Sequence, residues 1–324
     1  MNISKDDKIL ITGGTGFIGK YLAHFLDYKD YKNIHLIPSF KEGIDLGLKS
    51  TVGWAFDKYK PDVVIHLACR HGGVMFNEQN PAGMMYENIN MTLNVAEEAS
   101  ATGCKKLIFI GDICSYPSIC PLPFKEEDLW SGYPDAPKSG YALTKRFLTE
   151  IIKNYHLEER LETTSLIFPE VYGSGDILDP RYGRTIPHLL TTLYHCKKND
   201  IPEITIGSKR GTTRDFLNVG DAVKAIELAL ASNLSGGEII NIGSGKETSL
   251  YDLCDTIQHF LGSNVKINWE EKDLYTSPRK YLDISKAKKI LGFEPTVDLE
   301  FGIEDVCKSI EGTETEIKDL KTLL

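Results

Sequence analysis

Short apolar runs alternate with amphipathic stretches over the first half of the chain. The apolar runs predict buried strands at 8–12, 34–37, 63–68, 107–110 and 164–168. Apolar residues at helical spacing predict helices at 17–26, 81–102 and 141–155. Because this alternation is typical of βαβ units, we predict an α/β fold with a doubly wound parallel sheet covered on both faces.

The pattern becomes mixed after residue 173. A stretch rich in Gly, Asp and Pro predicts a loop at 173–183, followed by helices at 186–197, 221–231, 249–261 and 284–291. Strands are predicted at 203–206 and 238–242, and the charged tail after about 311 is predicted to be a surface helix. We therefore expect a parallel-sheet domain at 1–172 and a smaller mixed lobe at 173–324, with some of its elements returning to the first sheet.

Composition and charge exclude several classes of protein. The chain has 324 residues, of which 41% are hydrophobic and 26% charged, as in ordinary globular proteins. Its net charge of −9 argues against nucleic acid or an anionic membrane as a partner. Seven cysteines without a C-x-x-C pair predict neither a disulfide framework nor a structural metal site. With no apolar run long enough for a membrane helix and no signal peptide, we expect a cytoplasmic protein.

A glycine-rich loop lies between the first predicted strand and the first predicted helix. Its spacing lets the backbone approach a pyrophosphate at a helix N-terminus, where the N–H groups and the helix dipole favour an anion. The sequence therefore predicts a dinucleotide site in a Rossmann domain, and a glycine-rich turn without a ligand is the alternative. The predicted loop residues are Gly13, Thr15, Gly16, Phe17, Ile18 and Gly19.

The second strand suggests which dinucleotide binds. No acidic residue directly follows this strand to hold the ribose hydroxyls of NAD. Ser39 and Lys41 could accept a 2′-phosphate instead, although Lys41 could equally be a solvated loop charge, and Asp45 is expected under the adenine. We expect NADP and leave NAD open.

Tyr141 and Lys145 are four residues apart on a predicted helix, so their side chains share a face. Lys145 is expected to hold the cofactor ribose and to lower the pKa of Tyr141. Tyr141 would then serve as an acid or base for a carbinol or carbonyl oxygen. The spacing is common by chance, so its weight comes from its position behind the glycine-rich loop.

Together these motifs resemble the extended short-chain dehydrogenase/reductase family of NAD(P)-dependent nucleotide-sugar enzymes. The resemblance covers nearly the whole chain and includes the segments at 171–173, 213–221, 241–245 and 279–295. It implies that Arg214 meets a nucleotide phosphate, with an exposed salt bridge as the alternative. It further implies cofactor contacts from Leu67, Ala68, Phe168, Glu170 and Val171, and substrate contacts from Glu170, Arg184, Arg279 and Asp283.

The segments at 66–73 and 111–117 resemble the branch that contains GDP-L-fucose synthase and GDP-mannose 3,5-epimerase. In that branch the cysteine matching Cys114 removes protons beside a sugar ketone, whereas most free cysteines are small core residues. Asp112 stands where the family has Ser or Thr, and Arg184 where it has a proton-donating His or Lys. Glu170 replaces an Asn, and Thr15 and Ser39 replace two arginines that hold the 2′-phosphate in fucose synthases.

The resemblance thus implies an NAD(P)-dependent enzyme that epimerises and reduces a nucleotide-linked 4-keto sugar, with a GDP-sugar as the expected substrate. Catalysis would use Tyr141, Lys145, Cys114 and Asp112, with Arg184 stabilising an enolate. Three alternatives stay open: a C4 reductase without epimerase activity, an epimerase or dehydratase that retains NAD, and a non-catalytic cofactor-binding protein. Family relatives are commonly dimers, so a homodimer through the helices at 81–102 and 141–155 is expected.

Overall fold

The computed structural model describes residues 3–38, 44–72, 74–159, 161–178, 184–208, 211–234, 236–271 and 277–311. The predicted surface helix after about 311 lies outside these residues, as do Ser39, Lys41 and much of the predicted loop at 173–183. The strands are β1 (Lys8–Thr12), β2 (Asn33–Ile37), β3 (Val63–His66), β4 (Lys106–Asp112), β5 (Glu162–Phe168), β6 (Glu170–Tyr172), β7 (Glu203–Gly207), β8 (Thr213–Arg214), β9 (Phe216–Asn218), β10 (Glu238–Asn241), β11 (Thr248–Ser249), β12 (Lys266–Glu270) and β13 (Arg279–Lys280).

Helices connect most of these strands. They are α1 (Phe17–Tyr28), α2 (Lys49–Tyr59), α3 (Val74–Gln79), α4 (Pro81–Ala101), α5 (Ser139–Glu159), α6 (Thr185–Lys198), α7 (Val219–Ala231), α8 (Leu250–Leu261), α9 (Ser285–Leu291) and α10 (Leu299–Glu311). None of the helices within the described ranges combines the length and the apolar character needed to cross a bilayer.

The central sheet is parallel throughout, in the order β10-β5-β4-β3-β1-β2. The chain runs from β1 outward to β2 and then crosses back to β3, so the strand order reverses between β1 and β3. In open α/β sheets, ligands bind outside the carboxyl ends of the strands at such a reversal. This topology confirms the predicted doubly wound fold and directs attention to the loops that follow β1, β3 and β4.

Alternating side chains of each central strand fill the two cores. Ile9 and Ile11 of β1 pack on the face covered by α1 and α7, whereas Leu10 packs on the face covered by α2, α4 and α5. All three side chains are inaccessible to solvent. Burial on both faces explains why the strands read as continuous apolar runs in the sequence.

A separate core holds the smaller lobe together. Apolar side chains of α6, α8 and α10 meet there, and they include Leu190, Ile257 and Ile303. Strand β10 does not join this core but pairs with β5 at the edge of the central sheet. The chain therefore leaves the central sheet after β5 and returns to it at β10.

A buried histidine links β1 to the helix layer. His66 Nδ1 lies 2.7 Å from Thr12 Oγ1, and its Nε2 lies 3.0 Å from Thr92 Oγ1 on α4. Desolvation by burial lowers the pKa of His66 to about 3, and the charge of Lys145 adds to this. The imidazole is therefore neutral in the folded protein over the whole physiological range.

Because of His66, we expect the free energy of unfolding to decrease as the pH is lowered. Below about pH 6.5 the unfolded chain gains a proton at His66 that the folded protein does not take up until about pH 3, so stability is lost through that interval. Between about pH 7.5 and about pH 4.5 the loss should be about 3 kcal/mol. Urea unfolding of the wild type and of His66→Gln over this range measures it. Two parallel pH curves would contradict the assignment.

Candidate active site

The glycine-rich loop packs tightly at the reversal point of the sheet. Gly13 has a φ of +67°, and a Cβ atom there would lie 2.8 Å from Ala68 N. A Cβ atom on Gly19 would lie 2.5 Å from Gly13 O. Side chains are thus excluded where the loop turns and where the helix packs against it. The backbone of Gly13–Gly19, here called the cradle, thus leaves the space that the close approach of a pyrophosphate requires.

Helix α1 begins directly at this cradle. Its N-cap is Gly16, which offers no side-chain oxygen to the N–H groups of the first turn, including those of Phe17 and Ile18. Such N–H groups, together with the helix dipole, suit a phosphate. Thr15 lies in the loop just before this N-cap.

The loop after β3 lies against the cradle. Leu67 N donates to Thr12 O at 3.1 Å, and Ala68 N donates to Thr12 Oγ1 at 3.3 Å. Earlier in the chain, Asp45 Oδ1 accepts from Gly47 N at 2.8 Å and so closes the turn before α2. Leu67 and Ala68 therefore border the glycine-rich loop.

Helix α5 brings Tyr141 and Lys145 to the carboxyl ends of β3 and β4. Lys145 Nζ donates to Ile110 O at 2.9 Å and lies 5.9 Å from the centre of the Tyr141 ring. Tyr141 Oη donates to Asp112 Oδ2 at 3.4 Å and accepts from Cys69 Sγ at 3.8 Å. The phenol thus lies between the loop after β3 and the loop after β4.

The surroundings of Tyr141 favour its neutral form. Burial raises the pKa of Tyr141 well above its ordinary value, and acidic neighbours raise it further, namely Cys69, Asp112 and Cys114. Because the pKa of Tyr141 is raised overall, the lowering expected from Lys145 does not outweigh burial and these neighbours. A phenol that keeps its proton is suited to donate it to an oxygen that gains negative charge.

Cys114 follows Asp112 in the loop after β4. Its backbone N donates to Asp112 Oδ1 at 2.8 Å, which fixes the turn that carries the thiol. Burial raises the pKa of Cys114 well above its ordinary value, and the charge of Asp112 adds to this. The thiol is therefore protonated, whereas the role implied by the resemblance needs a thiolate base.

Arg184 connects the smaller lobe to the glycine-rich loop. Its Nη1 donates to Asp176 Oδ1 at 2.8 Å, and its Nη2 donates to Val171 O at 2.6 Å. The guanidinium Cζ also lies 5.6 Å from the centre of the Phe17 ring. Phe168 ends β5 directly beside Asp112 in the sheet register. Arg184 therefore lies beside Phe17 and Val171, and Phe168 lies beside Asp112 at the carboxyl end of the sheet.

The arginine expected to meet phosphate lies near an acidic residue. Arg214 Nε is 3.8 Å from Glu170 Oε1, and Arg214 Nη1 donates to Pro278 O at 3.0 Å. Glu170 Oε2 accepts from Thr185 N at 3.3 Å. In the parallel pairing of β13 with β8, Lys280 lies beside Arg214. Arg214 and Lys280 thus lie side by side, the first near Glu170 and the second in an ion pair with Asp135.

Arg279 and Asp283, both predicted to contact the substrate, form hydrogen bonds with other residues of the chain. Arg279 is half exposed, and its Nε donates to Glu247 Oε2 at 2.9 Å. Asp283 Oδ1 accepts from Ser285 N at 2.8 Å and so closes the first turn of α9. Arg279 and Asp283 therefore make these contacts with Glu247 and with the first turn of α9.

Sequence reasoning assigned no role to five residues around this site, namely Cys69, His71, Asp135, Lys138 and Lys280. Cys69 touches the phenol, and Lys280 forms an ion pair with Asp135. The charge of Lys138 acts on both His71 and Cys114. The signal that could have found Cys69 and His71 is their position after β3, because loops that follow neighbouring parallel strands meet at one edge.

Comparison with known protein families gives one match over most of the chain. The model described as "NAD dependent epimerase/dehydratase family" matches residues 9–243. Among curated proteins, the putative GDP-L-fucose synthase 2 of Arabidopsis thaliana is 29% identical over 301 residues, which cover 93% of this chain and 90% of that protein. The GDP-L-fucose synthase of Sinorhizobium fredii is 28% identical over 312 residues, covering 96% and 97% of the two chains.

Solved structures share the fold at lower identity. A GDP-mannoheptose C4 reductase from Campylobacter jejuni with NADP bound superposes with a TM-score of 0.86 at 21% identity, covering 95% of this chain and 99% of that one. A GDP-L-fucose synthetase from Naegleria fowleri gives a TM-score of 0.85 at 24% identity, with 97% of each chain covered.

Proposed function

Because the chain belongs to the NAD dependent epimerase/dehydratase family, we propose that it is an NADP-dependent enzyme that reduces the C4 ketone of a nucleotide-linked sugar. A GDP-sugar is the proposed substrate, since the similar curated proteins are described as GDP-L-fucose synthases. The observation that carries the proposal is the phenol of Tyr141, held between Asp112 and Cys69 at the carboxyl ends of β3 and β4.

Tyr141 is the proposed acid of the reduction. When bound, the nicotinamide supplies the hydride that adds to C4. The C4 oxygen gains negative charge as the hydride adds, and Tyr141 Oη gives its proton to that oxygen. The raised pKa of Tyr141 keeps the proton on the phenol until that moment. The Lys145 ammonium then stabilises the phenolate that remains.

Asp112 has a different role from the Ser or Thr it replaces. A carboxylate accepts hydrogen bonds but does not donate them. It therefore accepts from the O–H of Tyr141 and the N–H of Cys114 and donates nothing to the substrate ketone. When the ketone binds, the single proton of the phenol turns from Asp112 to the C4 oxygen. This leaves Tyr141 as the proposed donor to the C4 oxygen.

The two parts of the chain have different proposed partners. Residues 1–172 would bind the cofactor through the glycine-rich loop (Gly13–Gly19), Asp45 and the segment at 67–68, with Ser39 and Lys41 near a 2′-phosphate. Residues 173–324 would bind mainly the sugar nucleotide, with Arg214 on its diphosphate. We also propose a cytoplasmic homodimer formed through α4 and α5, whose exposed aromatic side chains are Tyr86 and Phe147.

A second candidate activity is epimerisation at the carbons beside the ketone. The observation that favours it is the position of Cys114, two residues beyond the carboxylate that holds the phenol. A ketone at C4 acidifies the protons on C3 and C5, so an acid–base group beside it can exchange them.

The proposed function is tested with purified protein, NADPH and a GDP-linked 4-keto-6-deoxyhexose in D₂O. We expect NADPH to be consumed one-for-one with the ketone, and NMR of the product locates any deuterium at C3 or C5. Conversion of the sugar without NADPH consumption would instead indicate an enzyme that retains its cofactor. NADPH binding without any conversion would indicate a non-catalytic protein.

A further inference from the structure

An acidic side chain lies beside the arginine proposed to bind the diphosphate of the substrate. Glu170 begins β6, and its backbone N donates to Asp215 O at 3.2 Å, next to Arg214 in the chain. Its carboxylate then reaches two groups that favour an anion. Oε1 lies 3.8 Å from Arg214 Nε, and Oε2 accepts from Thr185 N at 3.3 Å. The side chain of Glu170 therefore lies between a cation of β8 and the first turn of α6.

The first turn of α6 offers backbone donors to an anion. The helix has 14 residues and begins at Thr185, and its N-cap is Arg184, whose side chain has no acceptor atom. The N–H groups of such a turn, together with the helix dipole, attract negative charge. Glu170 therefore gives this turn the oxygen that the side chain of an N-cap residue usually gives.

Carbonyl groups orient the guanidinium of Arg214 on one side. Its Nη1 donates to Thr213 O at 2.7 Å and to Pro278 O at 3.0 Å, which uses both hydrogens of that nitrogen. Its Nε faces Glu170 at 3.8 Å, which is beyond the length of a hydrogen bond. The Nε side of Arg214 therefore interacts with Glu170 through charge, and a phosphate oxygen at the same side could bind it directly.

A second carboxylate beside these strands is held more firmly. Asp135 pairs with Lys280 and accepts from Ser277 N at 2.9 Å, and its side chain is only 6% exposed. The side chain of Glu170 is 31% exposed, and its two contacts are longer. Because partly exposed ion pairs contribute little to stability, Glu170 can leave Arg214 at a low cost in free energy, whereas Asp135 stays with Lys280.

We propose that Glu170 is an internal anion that occupies the phosphate position before the substrate binds, and that the diphosphate of the sugar nucleotide displaces it. The inference rests on the proposed function and deepens it, because it assigns a specificity role to the residue that replaces an Asn of the family. A diphosphate carries more charge than one carboxylate and can bind Arg214 and the first turn of α6 directly, so the exchange favours the substrate. A neutral sugar leaves Glu170 in place. The contact thus selects nucleotide-linked sugars over free sugars.

Calorimetric titration with GDP, in the presence of NADPH, tests this displacement. Glu170→Gln removes the charge and keeps the size, so we expect GDP to bind about tenfold more tightly than to the wild type. Glu170→Asn, a second neutral replacement, should act in the same direction, whereas Glu170→Asp keeps the charge and should not tighten binding. The matched control is Glu203→Gln, which removes an exposed charge paired with Lys266 and should leave the GDP affinity unchanged.

Salt and kinetics give two further readouts. The gain in Glu170→Gln should shrink as the salt concentration rises from about 0.05 M to about 0.5 M, because ions screen a partly exposed charge. The KM for the GDP-linked 4-keto sugar should fall together with the dissociation constant of GDP, while kcat does not rise, because the charge acts on binding and not on the ketone. The affinity for NADPH should stay the same.

Wild-type GDP affinity in both neutral variants would overturn the inference and leave the reductase assignment intact. An equal gain in Glu203→Gln would also overturn it, because the cause would then be the net charge of the protein. A gain that persists at high salt, or that appears in Glu170→Asp, would overturn it by showing a cause other than charge. Absence of GDP binding to the wild type would instead refute the proposed GDP-sugar substrate.

Discussion

Replacing Tyr141 by Phe is expected to slow ketone reduction by about 10²–10⁴-fold, the usual contribution of a positioned acid. The ring would keep its place on α5 beside Lys145, but the proton for the C4 oxygen would be gone. Asp112 cannot replace it, since its carboxylate accepts the hydrogen bond of the phenol. The measurement is the rate of NADPH consumption with the GDP-linked 4-keto sugar at saturating concentrations.

The control for this change is Tyr155→Phe on the same helix. Tyr155 Oη donates to Glu97 Oε2 at 3.0 Å and takes no part in the site, so its loss should leave the rate unchanged. NADPH affinity should be similar in both variants, because neither change touches the glycine-rich loop. A Tyr141→Phe enzyme that reduces ketone at the wild-type rate would remove the phenol from the mechanism.

Replacing Lys106 by Met is expected to lower the free energy of unfolding by about 1–3 kcal/mol, the usual cost of leaving buried acceptors without a donor. Lys106 is only 1% exposed. Its ammonium donates to Ala229 O and Leu230 O, each at 3.1 Å, and to Ser232 O at 2.6 Å. Methionine fills a similar space but leaves these carbonyls, at the end of α7, without their cation.

The adjacent residue provides the comparison. Lys105 is about one-third exposed and pairs with Asp7 and Asp62, so solvent screens its interactions. Lys105→Met should therefore cost about 1 kcal/mol or less. Urea unfolding of the two variants compares the costs directly. Equal costs for the two variants would show that the buried contacts of Lys106 contribute no more than a surface ion pair.

The central sheet could be predicted from the sequence because burial leaves a local signal there. Each central strand is apolar on both faces, so an uninterrupted apolar run marks it. Helix α2 was not predicted, because only Val52, Ala55 and Phe56 are buried among mostly polar neighbours. The two-residue strands β8, β11 and β13 were also missed. They exist only through pairing with distant segments, which no local pattern encodes.

The candidate site was predicted in part for the same reason. The glycine-rich loop and the Tyr141–Lys145 spacing are local patterns, and the structure brings them to one end of the sheet. The predicted direction of the pKa shift of Tyr141 was wrong. The shift depends on burial and on the contact with Cys69, which is 72 positions away in the chain. Proximity of this kind arises from the order of the strands, so spacing along the sequence does not report it.

The return of β10 to the edge of the central sheet constrains how such a chain can diversify. A polypeptide cut after β6 would leave β5 without its neighbour and strip α7 from the face that covers Ile9 and Ile11. If the N-terminal half of one relative were joined to the C-terminal half of another, the pairing of β10 with β5 and the packing of α7 on the sheet would both have to be kept. We therefore expect substitutions that change substrate specificity to occur in the loops around the ligand, while the strands of the central sheet stay the same.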